Sequence, residues 1–443
     1  MKWQRILLRL SLVTMILTSF YLSYLIWLNP SNKAPLVPTG SSELANKQTN
    51  NKEEVNTKSQ NDIFLPLKLV NVTNSIALET SSEAVMKKVV KVLESGEMTQ
   101  AEVTVYPTSD AFLEHSVLKN GIELSFMNEV LMNEAIDVMG LKLELPNQLR
   151  EKKLTYEHVQ FDFDTNKIYF LDTVKHTKII ATFSLKPDKI HTILKEEGIP
   201  WIHVIYNPTL LASQYITNEP VDMKLYSYIS SVQPYTVFRD SFFKNPINAK
   251  STDDSSDLII TDRSEAMTVQ KDNRFIEYRD SNLTGFNDNL YTKGYEYIRE
   301  LGMNYGNLRF LDRNGEAMDY RVFVEGYPVF SQNNEGLISM EFAENVQANS
   351  WSVRIGANMN TIQIPIPSDQ TIKLPSSQSV LTKLKNNGAD LSKVSSILIG
   401  YKWSDIQDTN VVDLVPTWYL NINHTWIDSD SLLKKLSEGE GEK

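Results

Sequence analysis

The feature that most constrains this chain is a run of 19 uncharged, mainly apolar residues at positions 10–28. As a helix rising about 1.5 Å per residue, the run would measure roughly 28 Å, close to the thickness of the hydrocarbon layer of a membrane. Lys2, Arg5 and Arg9 precede it, and no acidic residue occurs before position 30. Because basic flanks stay in the cytoplasm, the sequence predicts one transmembrane helix, a cytoplasmic N-terminus and a cell-membrane protein whose bulk is extracytoplasmic.

A cleaved signal peptide is the alternative interpretation of this run. The apolar core of a signal peptide typically has about 7 to 15 residues and ends at a small-x-small cleavage site. Here the run ends in YLIWL at 24–28, followed by Asn29 and Pro30. Tyr and Trp suit a membrane interface better than a peptidase site, and a chain without cysteine cannot be a lipoprotein. The sequence therefore favours an anchor that is not cleaved.

The composition limits the chemistry and the partners of the chain. Without cysteine, it has no disulfide, no thiolate metal site and no cysteine nucleophile. It carries 44 basic and 55 acidic residues, and without Lys2, Arg5 and Arg9 the remainder carries 41 against 55. An acidic surface argues against nucleic acid and anionic wall polymer as partners.

Composition and periodicity divide the chain into seven predicted segments, and its 443 residues leave room for two or three folded domains. Residues 29–62 are rich in Asn, Lys, Ser, Thr and Glu, and such a segment buries too little apolar surface to offset the entropy of ordering. The predicted segments are a basic cytoplasmic N-terminus (1–9), the transmembrane helix (10–28), a disordered extracytoplasmic linker (29–62), a mixed α/β N-terminal domain (63–225), a β-rich middle domain (226–335), a β-rich C-terminal domain (336–430) and a polar tail (431–443).

The two β-rich domains are predicted to share one order of elements. In each, short strand-like runs lead to an amphipathic helix, which ends near Gly302 in one domain and near Gly388 in the other. Two more strand-like runs follow each helix, and the helices begin about 90 residues apart. The predicted fold class is therefore α+β: a single N-terminal transmembrane helix, then a mixed α/β domain, then two similar β-rich domains with one main helix each, in a duplicated strands–helix–two strands order.

Local patterns in the first folded region place single elements. The sequence TSSE at 80–83 matches a capping box, and apolar residues at helical spacing follow it until Gly96. Around 158–173, apolar and polar residues alternate, which predicts a hairpin that turns at Thr165 and Asn166.

No motif in the sequence indicates catalysis. The pattern S-x-x-K occurs twice, at Ser116 with Lys119 and at Ser431 with Lys434. Two matches in one chain show that the pattern is unspecific, and the Lys-Thr-Gly and Ser-Asp-Asn motifs of penicillin-interacting enzymes are missing. Nucleophile-elbow and phosphate-binding glycine loops are also missing, whereas paired acids for glycoside cleavage have no linear signature. The sequence predicts a protein that is not an enzyme and needs no cofactor.

Metal sites are not predicted either. Asp162, Asp164 and Asn166 have the opening spacing of a calcium loop, but Lys167 stands where the loop requires glycine. A hairpin strand whose Asp residues face water explains the same pattern. The six histidines are scattered without zinc-binding spacing, and His203, in the apolar run WIHVI at 201–205, is predicted to pack.

Two groups of residues are candidate contact surfaces. The rings of Tyr401, Trp403, Trp418 and Tyr419 either line a partner surface or pack in the core, and their Ile and Val neighbours favour the core. The predicted transmembrane helix carries hydroxyl residues over about half of its circumference, and such residues permit close approach between membrane helices. This membrane-helix contact face consists of Ser11, Thr14, Thr18, Ser19 and Ser23.

Several segments resemble the YycH family. They are YRVFVEGYPVF at 320–330, LPS at 374–376, GYKW at 400–403 and VPTWY at 415–419. The layout of a short basic N-terminus, one membrane helix ending near a Trp and a large exported portion also resembles this family. The resemblance covers essentially the whole chain, is looser before position 226, and includes no catalytic signature.

The resemblance implies a regulator in low-GC Gram-positive bacteria. YycH proteins associate with the sensor histidine kinase YycG, also called WalK, and with a second single-pass protein, YycI. Together they tune a two-component system that governs cell-wall metabolism, and their membrane helices contact one another. In the family fold the two C-terminal domains resemble each other and resemble YycI, which agrees with the duplicated order of elements.

The predicted function is therefore that of a membrane-anchored extracytoplasmic regulator. Its partners would be a YycG/WalK-type kinase and a YycI-like protein, bound by protein contacts that include membrane helices. Whether the kinase is inhibited or activated, and whether the chain self-associates, is open at this stage. The alternative is an exported module that binds cell wall or a ligand, or an unrecognised wall hydrolase.

Overall fold

The structure is a computed structural model, which describes Met15 and residues 58–438 apart from 147–148, 150–152, 209, 211–213, 255, 284–285, 287–288 and 346–349. The chain divides into two compact units, Met1–Glu53 and Glu54–Lys443, and every helix and strand named below belongs to the second. The predicted transmembrane helix at 10–28 lies outside the described residues except for Met15.

Nine α-helices occur in the described residues. They are α1 (Gln60–Ile63), α2 (Glu83–Ser95), α3 (Ser109–Glu114), α4 (Met132–Met139), α5 (Asp188–Leu194), α6 (Tyr235–Phe242), α7 (Leu290–Leu301), α8 (Ser377–Asn386) and α9 (Ser429–Ser437).

A ten-stranded sheet is built from the first half of the described chain. Its strands are β1 (Lys68–Thr73), β2 (Ile76–Thr80), β3 (Glu97–Val105), β4 (Gly121–Leu131), β5 (Lys142–Leu143), β6 (Thr155–Asp162), β7 (Lys167–Asp172), β8 (Thr177–Phe183), β9 (Ile202–Tyr206) and β10 (Tyr215–Ile216). The spatial order is β10-β9-β2-β1-β4-β6-β7-β8-β3-β5. Neighbouring strands are antiparallel except β3 and β5, which are parallel.

A fourteen-stranded sheet is built from the second half. Its strands are β12 (Tyr226–Val232), β13 (Lys250–Asp253), β14 (Asp257–Asp262), β15 (Glu265–Gln270), β16 (Phe275–Leu283), β17 (Leu308–Asn314), β18 (Ala317–Val324), β19 (Tyr327–Phe330), β20 (Leu337–Asn345), β21 (Ser350–Asn358), β22 (Asn360–Ile366), β24 (Val394–Asp405), β25 (Val411–Ile422) and β26 (Thr425–Asp428). The main path runs β13-β14-β15-β16-β21-β20-β18-β19-β24-β25-β12-β22, with β17 beside β18 and β26 beside β25. Strands β11 (Val221–Lys224) and β23 (Thr371–Leu374) form a separate pair.

The predicted fold class is wrong and needs correction. The described residues are mostly β-strands in two large sheets, and none of their helices is long and apolar enough to cross a membrane. The longest, α2, has 13 residues, whereas a membrane-spanning helix needs about 20. Strands from the regions predicted as two similar domains pair with each other, as β16 does with β21. The period-2 pattern that predicts a strand does not identify its neighbour, so the shared sheet was missed.

Short helices lie at two predicted segment ends. At the end of the predicted linker, the Ser59 side chain accepts a hydrogen bond from the Asp62 N–H and begins α1, because a serine at this position satisfies a free donor of the first turn. At the start of the predicted polar tail, α9 packs Leu432, Leu433 and Leu436 against the core. The predicted segment boundaries stay predictions.

Buried ion pairs connect the elements of one sheet to those of the other. Arg309 on β17 pairs with Glu83 on α2 at 3.2 Å, and Arg313 on β17 pairs with Glu134 on α4 at 3.0 Å. The two arginine side chains are almost completely removed from water. Strand β17 is therefore one of the elements that join the second half of the chain to the first.

Candidate functional site

A groove of about 700 Å³ lies beside strands β9 and β11 and the turn between β18 and β19. Grooves of this size are typical of ligand sites. Aromatic rings, carboxylates, two basic side chains and several aliphatic or proline side chains line it. Those used below are Trp201, Glu219, Asp222, Lys224, Tyr226, Glu325, Tyr327 and Tyr401. We call this feature the tyrosine groove.

Three tyrosines form one side of the tyrosine groove. The ring of Tyr401 lies edge-on to those of Tyr226 and Tyr327, with centroid distances of 5.6 and 6.2 Å, an arrangement that aromatic quadrupoles favour. Tyr401 is buried, and its hydroxyl donates to the Lys224 carbonyl at 3.1 Å. The rings of Tyr226 and Tyr327 are half-buried. The fixed Tyr401 ring therefore supports two rings that are partly open to solvent.

The turn between β18 and β19 places a carboxylate next to these rings. Val324 and Tyr327 are paired, so the turn consists of Glu325 and Gly326, whose φ angles are 51° and 85°. Two successive positive φ angles are typical of a tight type I′ hairpin. A Cβ on Gly326 would lie 1.9 Å from the Ser81 carbonyl oxygen, so only glycine permits the turn to approach the N-terminal half of the chain.

The electrostatic effect of this carboxylate reaches the tyrosines. Burial and, after it, the Glu325 carboxylate raise the pKa of Tyr226 and of Tyr228. Glu325 acts in the same direction on the pKa of Tyr401, which burial and neighbouring tyrosines already raise. The phenols in and beside the tyrosine groove are therefore neutral, and its formal charge comes from its carboxylates and basic side chains.

The four rings predicted as a possible partner surface are all buried. Tyr401 closes the bottom of the tyrosine groove. The indole N–H of Trp403 donates to Asp405 at 2.9 Å, and that of Trp418 donates to the Pro375 carbonyl at 2.8 Å. Tyr419 stacks on Phe330 with ring centroids 3.9 Å apart. The structure therefore places one of the four rings at a cavity and three in core contacts, and a partner surface formed by them stays a prediction.

Other predicted residues have local roles or lie elsewhere. The membrane-helix contact face, Ser11, Thr14, Thr18, Ser19 and Ser23, lies outside the described residues. His203 was predicted to pack, but it is exposed and lines the tyrosine groove, because β9 turns this side chain outward while the next residue, Val204, is buried.

Both S-x-x-K serines hold structure in place. The Ser116 hydroxyl is buried and donates to the Phe112 carbonyl at 2.7 Å. Ser431 donates its hydroxyl to the Asp428 carboxylate at 2.7 Å at the start of α9. Neither hydrogen bond joins the serine to the lysine of its motif, so the described geometry gives these serines no activating base.

The residues with calcium-loop spacing form a hairpin turn. The Asp162 carboxylate accepts hydrogen bonds from the backbone N–H groups of Asp164 at 2.9 Å and Thr165 at 3.2 Å. Asn166 has a φ of 55°, which Asn tolerates better than most residues. The predicted hairpin is confirmed, and the carboxylate with this spacing serves its own turn.

Sequence reasoning missed a cluster of carboxyl groups at the ends of β6 and β7. Oxygens of Glu129, Glu157 and Asp172 lie within 4.8 Å of one another. Lys175 approaches Glu129 and Asp172, each at 3.4 Å, and the Thr173 N–H donates to Glu157 at 2.8 Å. Burial and, next, the Asp172 carboxylate raise the pKa of Glu157 to about 7. Because Lys175 supplies the cation that pairs with Glu129 and Asp172, we interpret the cluster as a structural ion-pair network.

A second buried polar pair lies in the same sheet. His158 Nδ1 is 3.1 Å from the Glu123 carboxylate, and Gln160 donates to the other oxygen of Glu123 at 2.8 Å. All three side chains are buried. Their contacts join β4 to β6, which sequence periodicity could not show because the strands are about 35 residues apart along the chain.

Comparison with known proteins identifies the family. The family model of the YycH protein C-terminal domain matches residues 212–435, just over half of the chain. The chain belongs to the YycH family. The match begins just before β10 and includes α6–α8 and most of α9. It therefore contains Tyr226, Glu325, Tyr327 and Tyr401 of the tyrosine groove. No curated protein matches the sequence.

A solved structure shares the YycH fold of this chain. The crystal structure of YycH from Bacillus subtilis is similar to it with a TM-score of 0.65 and 14% sequence identity. The match covers 86% of this chain and 99% of the other. At this identity the likeness shows the fold. The resemblance to the YycH family that the sequence indicated is thereby confirmed, and this membership supports a regulator of the YycG kinase system rather than an enzyme.

Proposed function

We propose that this chain is an extracytoplasmic regulator of a YycG/WalK-type sensor histidine kinase, acting at the cell membrane through protein contacts together with a YycI-like protein. The observation that carries the proposal is the match of residues 212–435 to the YycH C-terminal domain. The described fold supports it, since 99% of the Bacillus subtilis YycH chain is covered by the structural match.

Three features of the described residues support a role in binding. The S-x-x-K hydroxyls are engaged in capping and turn contacts, and Lys175 forms ion pairs with two of the three carboxyl groups of the cluster, Glu129 and Asp172. The tyrosine groove, with a volume of about 700 Å³, offers rings and charges for contact. A regulator that acts by binding needs such a surface and no reacting group.

Affinity purification tests this proposal. The tagged full-length chain is purified from cells in mild detergent, and the co-purifying proteins are identified by mass spectrometry. We expect a sensor histidine kinase and a YycI-like protein to be enriched over a purification of an unrelated tagged membrane protein. If the intact chain is recovered at equal yield without a histidine kinase, the proposed function is wrong.

A further inference from the structure

The tyrosine groove carries more negative than positive charge. Glu219, Asp222 and Glu325 line it and are exposed. Among the residues that the structure describes, none of these three carboxylates forms an ion pair with a lysine or arginine, including the neighbouring Lys224. Exposed carboxylates without an ion pair among the described residues leave a groove electrostatically suited to a cation from another molecule.

The tyrosine rings strengthen this preference. An ammonium or guanidinium group is attracted to the faces of aromatic rings, and several rings beside a carboxylate make a favourable site for it. Tyr226 and Tyr327 flank the fixed ring of Tyr401, and Glu325 stands in the turn directly before Tyr327. The groove therefore combines the two kinds of group that bind a side-chain cation.

The backbone conformation of Glu325 lowers the stability of the fold. Its φ of 51° lies in the left-handed region, which Asn or Gly adopts with less strain than Glu. Other non-glycine residues of the described chain, such as Arg263 and Arg274, share such a φ, so the backbone conformation by itself assigns no role to the Glu325 side chain.

Strand β11 gives the groove an extended shape. It pairs with β23 and with no further strand of the described residues, and its Asp222 and Lys224 side chains are exposed at the groove. A partner segment in extended conformation can follow such a strand, with its side chains directed into neighbouring pockets.

We infer that the tyrosine groove binds an extended segment of a partner protein through a lysine or arginine side chain, which lies against the exposed parts of the Tyr226 and Tyr327 rings and pairs with the carboxylate of Glu325. The inference goes beyond the regulatory role proposed above and does not depend on which kinase system the chain serves. Charge complementarity selects this occupant, because three exposed carboxylates and several aromatic rings line the groove against a single lysine.

Titration with peptides tests the inference without the kinase. The full-length chain is titrated by calorimetry with N-acetylated tetralysine and, separately, with N-acetylated tetraglutamate. We expect saturable binding of tetralysine alone, weakened by added salt because the attraction is electrostatic. Absence of saturable tetralysine binding, or equal binding of tetraglutamate, would overturn the inference.

Variants locate the binding. Glu325→Asn removes the carboxylate and suits the left-handed backbone, so the fold is kept; we expect tetralysine affinity to fall at least about fivefold, or about 1 kcal/mol. Glu344→Gln removes an exposed carboxylate at the end of β20, outside the groove lining, and should leave affinity within about twofold. Equal losses in both variants would show unspecific attraction and overturn the inference.

A second pair of variants separates the ring from the charge. Tyr226→Phe keeps the aromatic face, whereas Tyr226→Leu removes it and keeps an apolar side chain. Because the cation is attracted to the ring, we expect the Leu variant to bind about three- to fivefold more weakly and the Phe variant to bind as the parent does. Unchanged affinity in the Leu variant would show that the Tyr226 ring does not bind the cation and would overturn the inference.

Discussion

Arg309 and Glu83 form an ion pair across the two sheets, with 3.2 Å between Nη1 and Oε1, although 226 residues separate them along the chain. Arg309 is fully buried. Its second amino group donates to the carbonyls of Leu65 at 3.1 Å and Pro66 at 2.8 Å, and its guanidinium lies over the ring of Phe323. One side chain thus connects α2, the chain before β1, and two strands of the other sheet.

Removal of Glu83 should be costly. Glu83→Ala leaves the buried guanidinium without its carboxylate, and an unpaired buried charge typically costs about 3 to 5 kcal/mol. Because the Glu83 side chain keeps some exposure, we expect about 3 kcal/mol less free energy of unfolding, measured by urea denaturation of the full-length chain.

The matched control lies on the same helix. Lys88 pairs with Glu196 in an exposed position, so Lys88→Ala should change the free energy of unfolding by no more than about 0.5 kcal/mol. Similar losses for the two variants would contradict the importance of burial at the Arg309 pair.

Glu157 should make stability depend on pH. Its pKa in the folded protein, about 7, is above the ordinary value of 4.5. The folded state therefore holds the proton more tightly, and the contribution of Glu157 to stability falls as pH rises from about 4.5 to about 7. Glu157→Gln removes this loss, so the variant should match the parent near pH 4.5 and exceed it at pH 8 by up to about 3 kcal/mol.

Urea denaturation across this pH range measures the difference. Glu114→Gln, an exposed site on α3, is the control and should follow the parent at each pH. A Glu157→Gln variant that is less stable than the parent at pH 8 would show that the carboxylate is needed in its charged form.

His424 should act in the opposite way. Its hydrogen bond to Asp312 raises its pKa, so its protonated form stabilises the fold. This contribution is present below the ordinary pKa of histidine and is lost as pH rises through the raised value. His424→Gln should lower the thermal midpoint at about pH 5.5 and change it little at about pH 9, whereas the exposed His203→Gln should have no such pH dependence. An equal shift at the two pH values would exclude a role for the proton.

Glu325 should lower stability by its backbone conformation. Glu325→Asn should raise the free energy of unfolding by about 1 kcal/mol, because Asn tolerates a left-handed φ. Glu325→Gln removes the charge and keeps the strain, so its stability should equal that of the parent. Chemical denaturation distinguishes the two, and a stabilised Gln variant would assign the cost to charge instead of backbone.

Local elements could be predicted from the sequence where the pattern itself decides them. The apolar spacing of α2 and its end at Gly96 are confirmed. The predicted capping box is wrong: its pattern makes Thr80 the N-cap, whereas the helix begins at Glu83 with Ser82 at the N-cap, and Glu83 pairs with Arg309. A capping box is a local motif, whereas this partner is 226 residues away, so no local pattern reveals it.

The candidate site could be predicted less well than the fold. The tyrosine groove gathers Trp201, Tyr226, Glu325 and Tyr401 from four distant segments, and each alone has an ordinary strand or turn environment in the sequence. A signal was present in the pair Glu325 and Gly326, since a Glu-Gly turn between two apolar runs indicates a hairpin with a strained first residue. The sequence contains no comparable signal for the strand pairing that brings Tyr401 close to this turn.

The central claim is tested most directly by the phosphorylation of the response regulator that works with the YycG-type kinase. Its phosphorylated fraction is measured on phosphate-affinity gels in parent cells, in cells lacking this chain, and in cells given it back. The account predicts a changed fraction on deletion, in either direction, that returns to the parent level on complementation. A fraction that stays the same in all three strains, while the chain is present at its normal level in the parent, would contradict a regulatory role.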